Sequence, residues 1–146
     1  MSDLALRWNS ATGTADLAIE DDDFAADESL ETAVMLSLWT GSAGGWWGDV
    51  VSDTAGDKFG SKLYLLAREK DTARVLDLAK AYVEEALAWM IEDLVASSVA
   101  CVAESQPYGA GQSVLALSIT ITRPSVAPVT YRYAYNWEAQ ELRHAV

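Results

Sequence analysis

The sequence reads as an α+β domain, because strand-type patterning sits at both ends of the chain and helix-type patterning lies between, without strand–helix–strand alternation. Towards the C-terminus Leu115, Leu117, Ile119 and Ile121 alternate with Ala116, Ser118, Thr120 and Thr122, the period-two signature of a half-buried strand. In the middle Leu76, Ala79, Val83, Leu87, Met90 or Ile91, and Leu94 recur at helical spacing, with Asp77, Glu84, Glu85 and Glu92 largely off that stripe. The expected architecture is an N-terminal β-hairpin, three helices including one long one, and a C-terminal three-stranded antiparallel meander packed on the helices. The whole of 1–146 is expected to be one domain, since 146 residues at 51% hydrophobic content can bury a real core.

Taken in order, residues 4–8 and 15–19 alternate apolar with polar or small residues around the turn-forming run 9–14, which predicts a hairpin. The acidic stretch 20–28 follows as a solvated connection. Asp27 or Ser29 could cap a first helix running to about Trp39, with Leu30, Val34 and Leu38 on one face and Gly41 as its stop. Residues 41–59 form a Gly/Trp/Asp loop, and Ser61 caps a short helix with Leu63 and Leu66 inward and Tyr64 as a further candidate for that side. The long helix starts at Asp71 or Thr72 and carries its stripe to Leu94. Residues 97–103 read as a strand, with helix continuing to Glu104 as the alternative, since alanine tolerates both states. Residues 107–111 form a turn, 123–128 a further connection, and 129–137 a strand with Tyr131, Tyr133 and Tyr135 on one side. A short polar tail begins at Glu138.

Charge narrows the function. With 22 acidic against 10 basic residues the net charge is −12, which opposes nucleic acid and anionic membrane surfaces. Cys101 is the single cysteine and sits in an apolar run, so it reads as a small buried hydrophobe rather than a disulfide partner or metal ligand. The chain start lacks a signal-peptide pattern, and synthesis in a reducing cytoplasm is expected. The acids from Glu20 to Glu28 are contiguous and include no glycine, unlike an alternating calcium loop. Glu84 and Glu85 are adjacent on a helix and do not face one site. His144 is the sole histidine and is remote in sequence from Cys101, which argues against a nucleophile–base pair. No catalytic residue, cofactor or metal is expected.

The most specific feature is Gly44-Gly45-Trp46-Trp47-Gly48-Asp49, followed by Gly60-Ser61-Lys62-Leu63-Tyr64-Leu65-Leu66-Ala67-Arg68-Glu69-Lys70. Adjacent indoles on extended backbone point apart, so one ring is expected in the core and the other on an assembly surface. Trp39 and Trp89 are helical and read as core, while Trp8 and Trp137 belong to strands. Glu69 could pair with Arg68 or Lys62. A stand-alone glycan- or peptide-binding module using the Trp46/Trp47 loop is the alternative reading.

Together with Leu4-Ala5-Leu6-Arg7-Trp8, Leu30-Glu31-Thr32-Ala33-Val34, the run from Tyr82 to Trp89, and Tyr131-Arg132-Tyr133, these motifs resemble the baseplate wedge family named for gene product forty-six of phage Mu. That family is related to the W and lysozyme-like wedge proteins of other contractile tails. The resemblance implies a structural protein of the virion tail baseplate, linking neighbouring wedge, hub and sheath-proximal proteins, in several copies (six by symmetry). Trp46, Trp47, Asp49, Arg68 and Glu69 are the residues expected at a partner interface, while Arg68, Glu69 and Lys70, at the junction before the long helix, are expected to serve architecture more than recognition. Where family members carry arginines before the Gly-Trp-Trp, this chain has Ser42-Ala43-Gly44, so a contact depending on positive charge there is not expected.

Overall fold

The computed structural model describes residues 3–9, 14–27, 29–41, 44–51, 53, 58–66, 69, 73–107, 109, 111, 113–136 and 141–144. The N-terminal hairpin is present as β2 (Leu6–Asn9) paired with β3 (Thr14–Leu17), but it is one arm of a larger device that also uses β1 (Asp3–Leu4). The acidic stretch expected to be a solvated connection is a second hairpin, β4 (Ile19–Glu20) and β5 (Asp23–Phe24), and β6 (Ala26–Asp27) returns to pair with β1. Asp21 and Asp22 make its two-residue turn at φ 51° and 63°, the left-handed conformation that short Asp side chains tolerate and that suits the twist of a hairpin. Three alanines lock the arms together. The Ala5 N–H donates to the Ala25 carbonyl (2.8 Å), Ala25 to Ala18 (2.9 Å), and Ala18 back to Ala5 (2.8 Å). This closed ring satisfies backbone groups where the three ribbons part, and Ala18 and Ala25 are buried there.

The leaf so formed is fastened to α1 (Glu31–Trp39), whose N-terminus is capped cooperatively. Leu30 occupies the N-cap position and supplies no side-chain bond. Instead Asp27 accepts the Thr32 N–H (2.8 Å), Ser29 Oγ accepts the Glu31 N–H (3.0 Å), and Ser29 donates to Asp27. Tyr131 Oη accepts the Leu30 N–H (3.1 Å), and Thr32 Oγ1 accepts the Leu6 N–H (3.1 Å). One helix end therefore joins leaf, helix and C-terminal sheet, its free donors met by side chains rather than water. Val34, Met35 and Leu38 are buried, and so is Ser37, which donates to the Ala33 carbonyl and accepts the Trp89 Nε1–H.

After a 3-10 turn at Leu63–Leu66, helix α2 (Ala73–Ala86) buries Val75, Ala79, Val83 and Ala86. The expected starts, Asp71 and Thr72, lie outside the described residues. The long helix is not continuous: Leu87 and Ala88 form a turn before α3 (Trp89–Glu92), where i→i+3 bonds tighten the backbone. Leu87 and Met90 remain in the core, but Leu94 departs from the stripe, standing at φ 60° and 86% exposed. Strand begins at β7 (Ser98–Pro107), which resolves the 97–104 ambiguity, and β8 (Ser113–Arg123) and β9 (Val126–Asn136) complete the meander. Two expectations fail here. Pro124 and Ser125 (φ 63°) alone turn the chain, so 126–128 is strand rather than connection. The polar tail adds a fourth strand, β10 (Glu141–His144), giving the order β10-β9-β8-β7.

Leu115, Leu117, Ile119 and Ile121 of β8 are all buried, flanked by Cys101 of β7 and by Tyr131 and Tyr133 of β9. They form one apolar cluster with the inner faces of α1 and α2. Burial, with the Glu84 carboxylate nearby, pushes the Cys101 thiol up to about 12, so this sulfur packs as an inert hydrophobe.

Partial burial opposes ionisation of Asp27, but the bonds from Ser29 and Thr32 prevail and hold its carboxyl below the usual 3.8. Its stabilising effect is therefore complete above the unfolded-chain value and is lost as pH falls through the lower folded one. Asp27→Ala should cost about 1–2 kcal/mol at neutral pH, the range for a lost helix cap. In urea titrations the stability gap between wild type and Asp27→Asn should stay constant above about pH 5 and narrow progressively below the ordinary carboxylate range.

Candidate functional site

The loop leaving α1 returns to the core beside its own starting point. The Ser61 N–H donates to the Thr40 carbonyl at 2.6 Å, drawing the two backbones together. Glycine makes this approach possible on both sides. A Cβ on Gly41 would sit 2.1 Å from the Ser61 carbonyl oxygen, and one on Gly60, at φ 109°, would sit 2.3 Å from that of Thr40. Ser61 is buried at this neck, and its Oγ accepts the Leu63 N–H (2.9 Å), starting the 3-10 turn as the sequence indicated.

Asp49 is the organiser of the loop. One carboxylate oxygen accepts the Phe59 N–H (3.0 Å) and the other the Trp46 N–H (3.3 Å), while the Asp49 N–H donates to the Trp46 carbonyl. A carboxylate serving two separated backbone donors ties the Trp-Trp end of the loop to its exit. Asp49 therefore acts on the loop's own backbone, within the 3-10 turn Trp47–Val50.

The two indoles do not point apart. Trp46 is extended (φ −83°, ψ 139°) but Trp47 already enters the 3-10 turn, so strand alternation fails between them. Their centroids lie 5.2 Å apart at 47°. Neither ring joins the core, against the expectation that one would: Trp46 is the more sheltered, 38% exposed, meeting Phe59 edge-on at 5.6 Å and covering Gly48, where a Cβ would come within 2.0 Å of the ring. Trp47 is 74% exposed. Val50 and Val51 beside it are also in water, at 85% and 69%, and the sequence reading had passed them over. Two β-branched residues straight after the Gly-Asp step of a loop were the available signal.

Below this ridge a cleft of about 620 Å³ runs between the loop and α2–α3, bordered by Trp46, Phe59, Tyr64, Tyr82 and Trp89. Its charged border is an ion pair not expected from sequence, Lys62 Nζ to Glu85 Oε1 at 2.6 Å. Bonding to Glu85 raises the Lys62 ammonium above its usual value. Glu69, expected to pair with Arg68 or Lys62, is exposed and donates its N–H to the Leu66 carbonyl. Arg68 and Lys70, with Ser42, Ala43 and Trp137, lie outside the described residues. Glu84 and Glu85 look to different neighbours, the first accepting the Cys101 N–H (3.4 Å) and the second meeting Lys62. Trp39 and Trp89 are partly buried against the core. Among the described residues no three acidic, cysteine or histidine side chains converge to hold a metal, and no helix is long and apolar enough to cross a membrane.

A neck closed by two glycines and a carboxylate clamp hold an apolar ridge out into water. Known proteins resemble the chain over most of its length. The family model described as phage protein GP46 matches residues 14–128. The Mu-like prophage FluMu protein gp46 of Haemophilus influenzae is 38% identical over 141 residues, spanning 94% of this chain and 98% of that protein. Baseplate protein gp46 of Escherichia phage Mu is 34% identical over 150 residues, spanning 93% and 99%. No solved structure matches the chain.

Because Trp46 packs on the loop and Trp47 does not, their removal should differ. Trp46→Ala should cost about 2 kcal/mol, less than the roughly 3–5 of a fully buried aromatic, and Trp47→Ala should stay within about 0.5 kcal/mol of wild type. Gly60→Ala, strained in φ and in collision with Thr40, should cost at least about 2 kcal/mol. Urea denaturation of the three variants measures all of this.

Proposed function

The chain belongs to the phage GP46 family, and on that premise we propose that it is a structural subunit of the tail baseplate of a contractile-tailed phage or phage-derived particle. The observation that carries this reading is the near end-to-end similarity to the baseplate protein of phage Mu, which spans 93% of this chain and 99% of that protein. Within the baseplate its place is the wedge, as a non-enzymatic connector between neighbouring wedge, hub and sheath-proximal proteins, one copy per sixfold position.

The loop supplies the mechanism. A connector must present apolar surface to its neighbour without letting that surface collapse inward or stay mobile, since ordering it on assembly would weaken binding. The Thr40–Ser61 bond and the Asp49 clamp hold the ridge of Trp47, Val50 and Val51 outward in advance. Exposed tryptophan on a rigid support is the type of group that dominates interface energetics. Arg68 and Glu69 are proposed as further residues of the same contact. The glycan-binding alternative is less well served, since Trp46 and Trp47 are tilted by 47° and share no flat platform.

Trp47→Ala in the intact tail gene cluster should leave the protein folded and soluble but reduce its incorporation into purified tails by at least about tenfold, the scale of a hot-spot truncation. Incorporation at wild-type level would remove the ridge from the interface, and loss of a glycan ligand with normal assembly would favour the alternative. With a net charge of −12, the purified chain should remain monomeric by analytical ultracentrifugation at micromolar concentration.

A further inference from the structure

The N-terminal leaf has two faces of opposite character. Cross-strand partners share a face. Arg7 also reaches Glu20 across the three-way junction, so Arg7, Asp16, Glu20 and Asp23 stand on one side. Their neighbours in sequence, Leu6, Leu17, Ile19 and Phe24, stand on the other. Of these only Leu6 is tied to the core. The directly opposed pair Ile19 and Phe24 is 67% and 54% exposed, with Leu4 and Leu17 at 50% and 39%. Ribbons of two to four residues per strand are marginal by themselves, and an uncovered Ile–Phe pair contributes almost nothing to holding them.

We infer that this apolar face is a docking surface for a different protein whose contact patch is apolar at its centre and basic at its rim. Charge complementarity selects that occupant. Arg7 is the sole basic residue within 3–27 and is already engaged by Glu20. The turn residues Asp21 and Asp22 set two carboxylates at the tip of the patch, and Asp16 and Asp23 add negative charge on the leaf's reverse face. A second copy of this chain would bring the same carboxylates and a further net charge of −12, and would be repelled. A rim of lysine or arginine would instead speed encounter and fix orientation. The inference rests on the baseplate reading only for where the partner is found, not for its chemistry.

The test uses the intact chain, labelled with nitrogen-15 and titrated with a peptide of about ten residues alternating lysine and valine, a minimal basic strand with one apolar face. A glutamate–valine peptide serves as control. Amide shifts should concentrate at Leu4, Leu17, Ile19 and Phe24 with the basic peptide only. The Ile19→Ser/Phe24→Ser variant keeps the net charge and should bind at least about tenfold more weakly. Asp21→Asn/Asp22→Asn, which keeps the left-handed turn accessible, should also weaken binding. Equal binding by the serine variant, shifts spread over other acidic surfaces, or leaf shifts that grow with protein concentration alone would each overturn the inference. In purified tails, a photo-crosslinking phenylalanine analogue placed at Phe24 should join a Lys/Arg-flanked apolar patch of another protein. Joining a second copy of this chain would overturn it. If the wild-type chain is missing from tails the baseplate reading fails, and the peptide titration still decides the leaf.

Discussion

Everything in this chain is hung from a single buried contact, the inner face of β8 against the apolar sides of α1 and α2. Leu115, Leu117, Ile119 and Ile121 present four fully buried side chains from an inner strand of the sheet, and Val34, Met35, Val83 and Leu87 join them in one cluster. At roughly 1.5–3 kcal/mol for each large apolar side chain buried, this layer is the main favourable term. The leaf and the Trp loop contribute little to it. They are appendages whose geometry is set by hydrogen bonds at their points of attachment, and the core's role is to keep those points fixed.

Both attachments use the same chemistry. A short polar side chain accepts backbone N–H groups that the chain direction would otherwise leave open. At the leaf it is Asp27 with Ser29, assisted by Thr32 and Tyr131; at the loop it is Asp49 with Ser61. The apolar surface projected beyond each clamp, Ile19 and Phe24 in one case and Trp47, Val50 and Val51 in the other, is large for a protein of this size.

The core was legible because period and burial coincide there: the β8 alternation and the Ala79–Val83–Leu87–Met90 stripe each follow one face of one element. Of the leaf, the β2–β3 hairpin was legible and the rest was not. The strands β1, β4, β5 and β6 are too short for periodicity to register, and the closing signal is three alanines, Ala5, Ala18 and Ala25, each flanked by apolar residues yet far apart in sequence. The two acids of its turn looked like solvated loop, because only their φ values reveal the hairpin. The Trp-Trp motif was visible in the sequence, but the orientation of its rings depended on a 3-10 turn that begins between them. Lys62 found Glu85 rather than Glu69 for a similar reason: the pairing runs between elements, and local sequence carries no trace of it. The fourth strand was hidden by composition, since a polar edge strand resembles a tail.

The glycine neck at Thr40–Gly41 and Gly60–Ser61 has a consequence for how such a protein diversifies. A segment that leaves and re-enters the scaffold at one hydrogen bond's separation imposes no span on whatever lies between. Its closure entropy grows only with the logarithm of its length, about 0.6 kcal/mol per doubling. Residues between the two glycines can lengthen, shorten or change their charge while the helices and sheet register nothing. The loop behaves as an exchangeable cartridge seated in a fixed socket, so specificity for a neighbouring subunit can be rewritten there without renegotiating the fold.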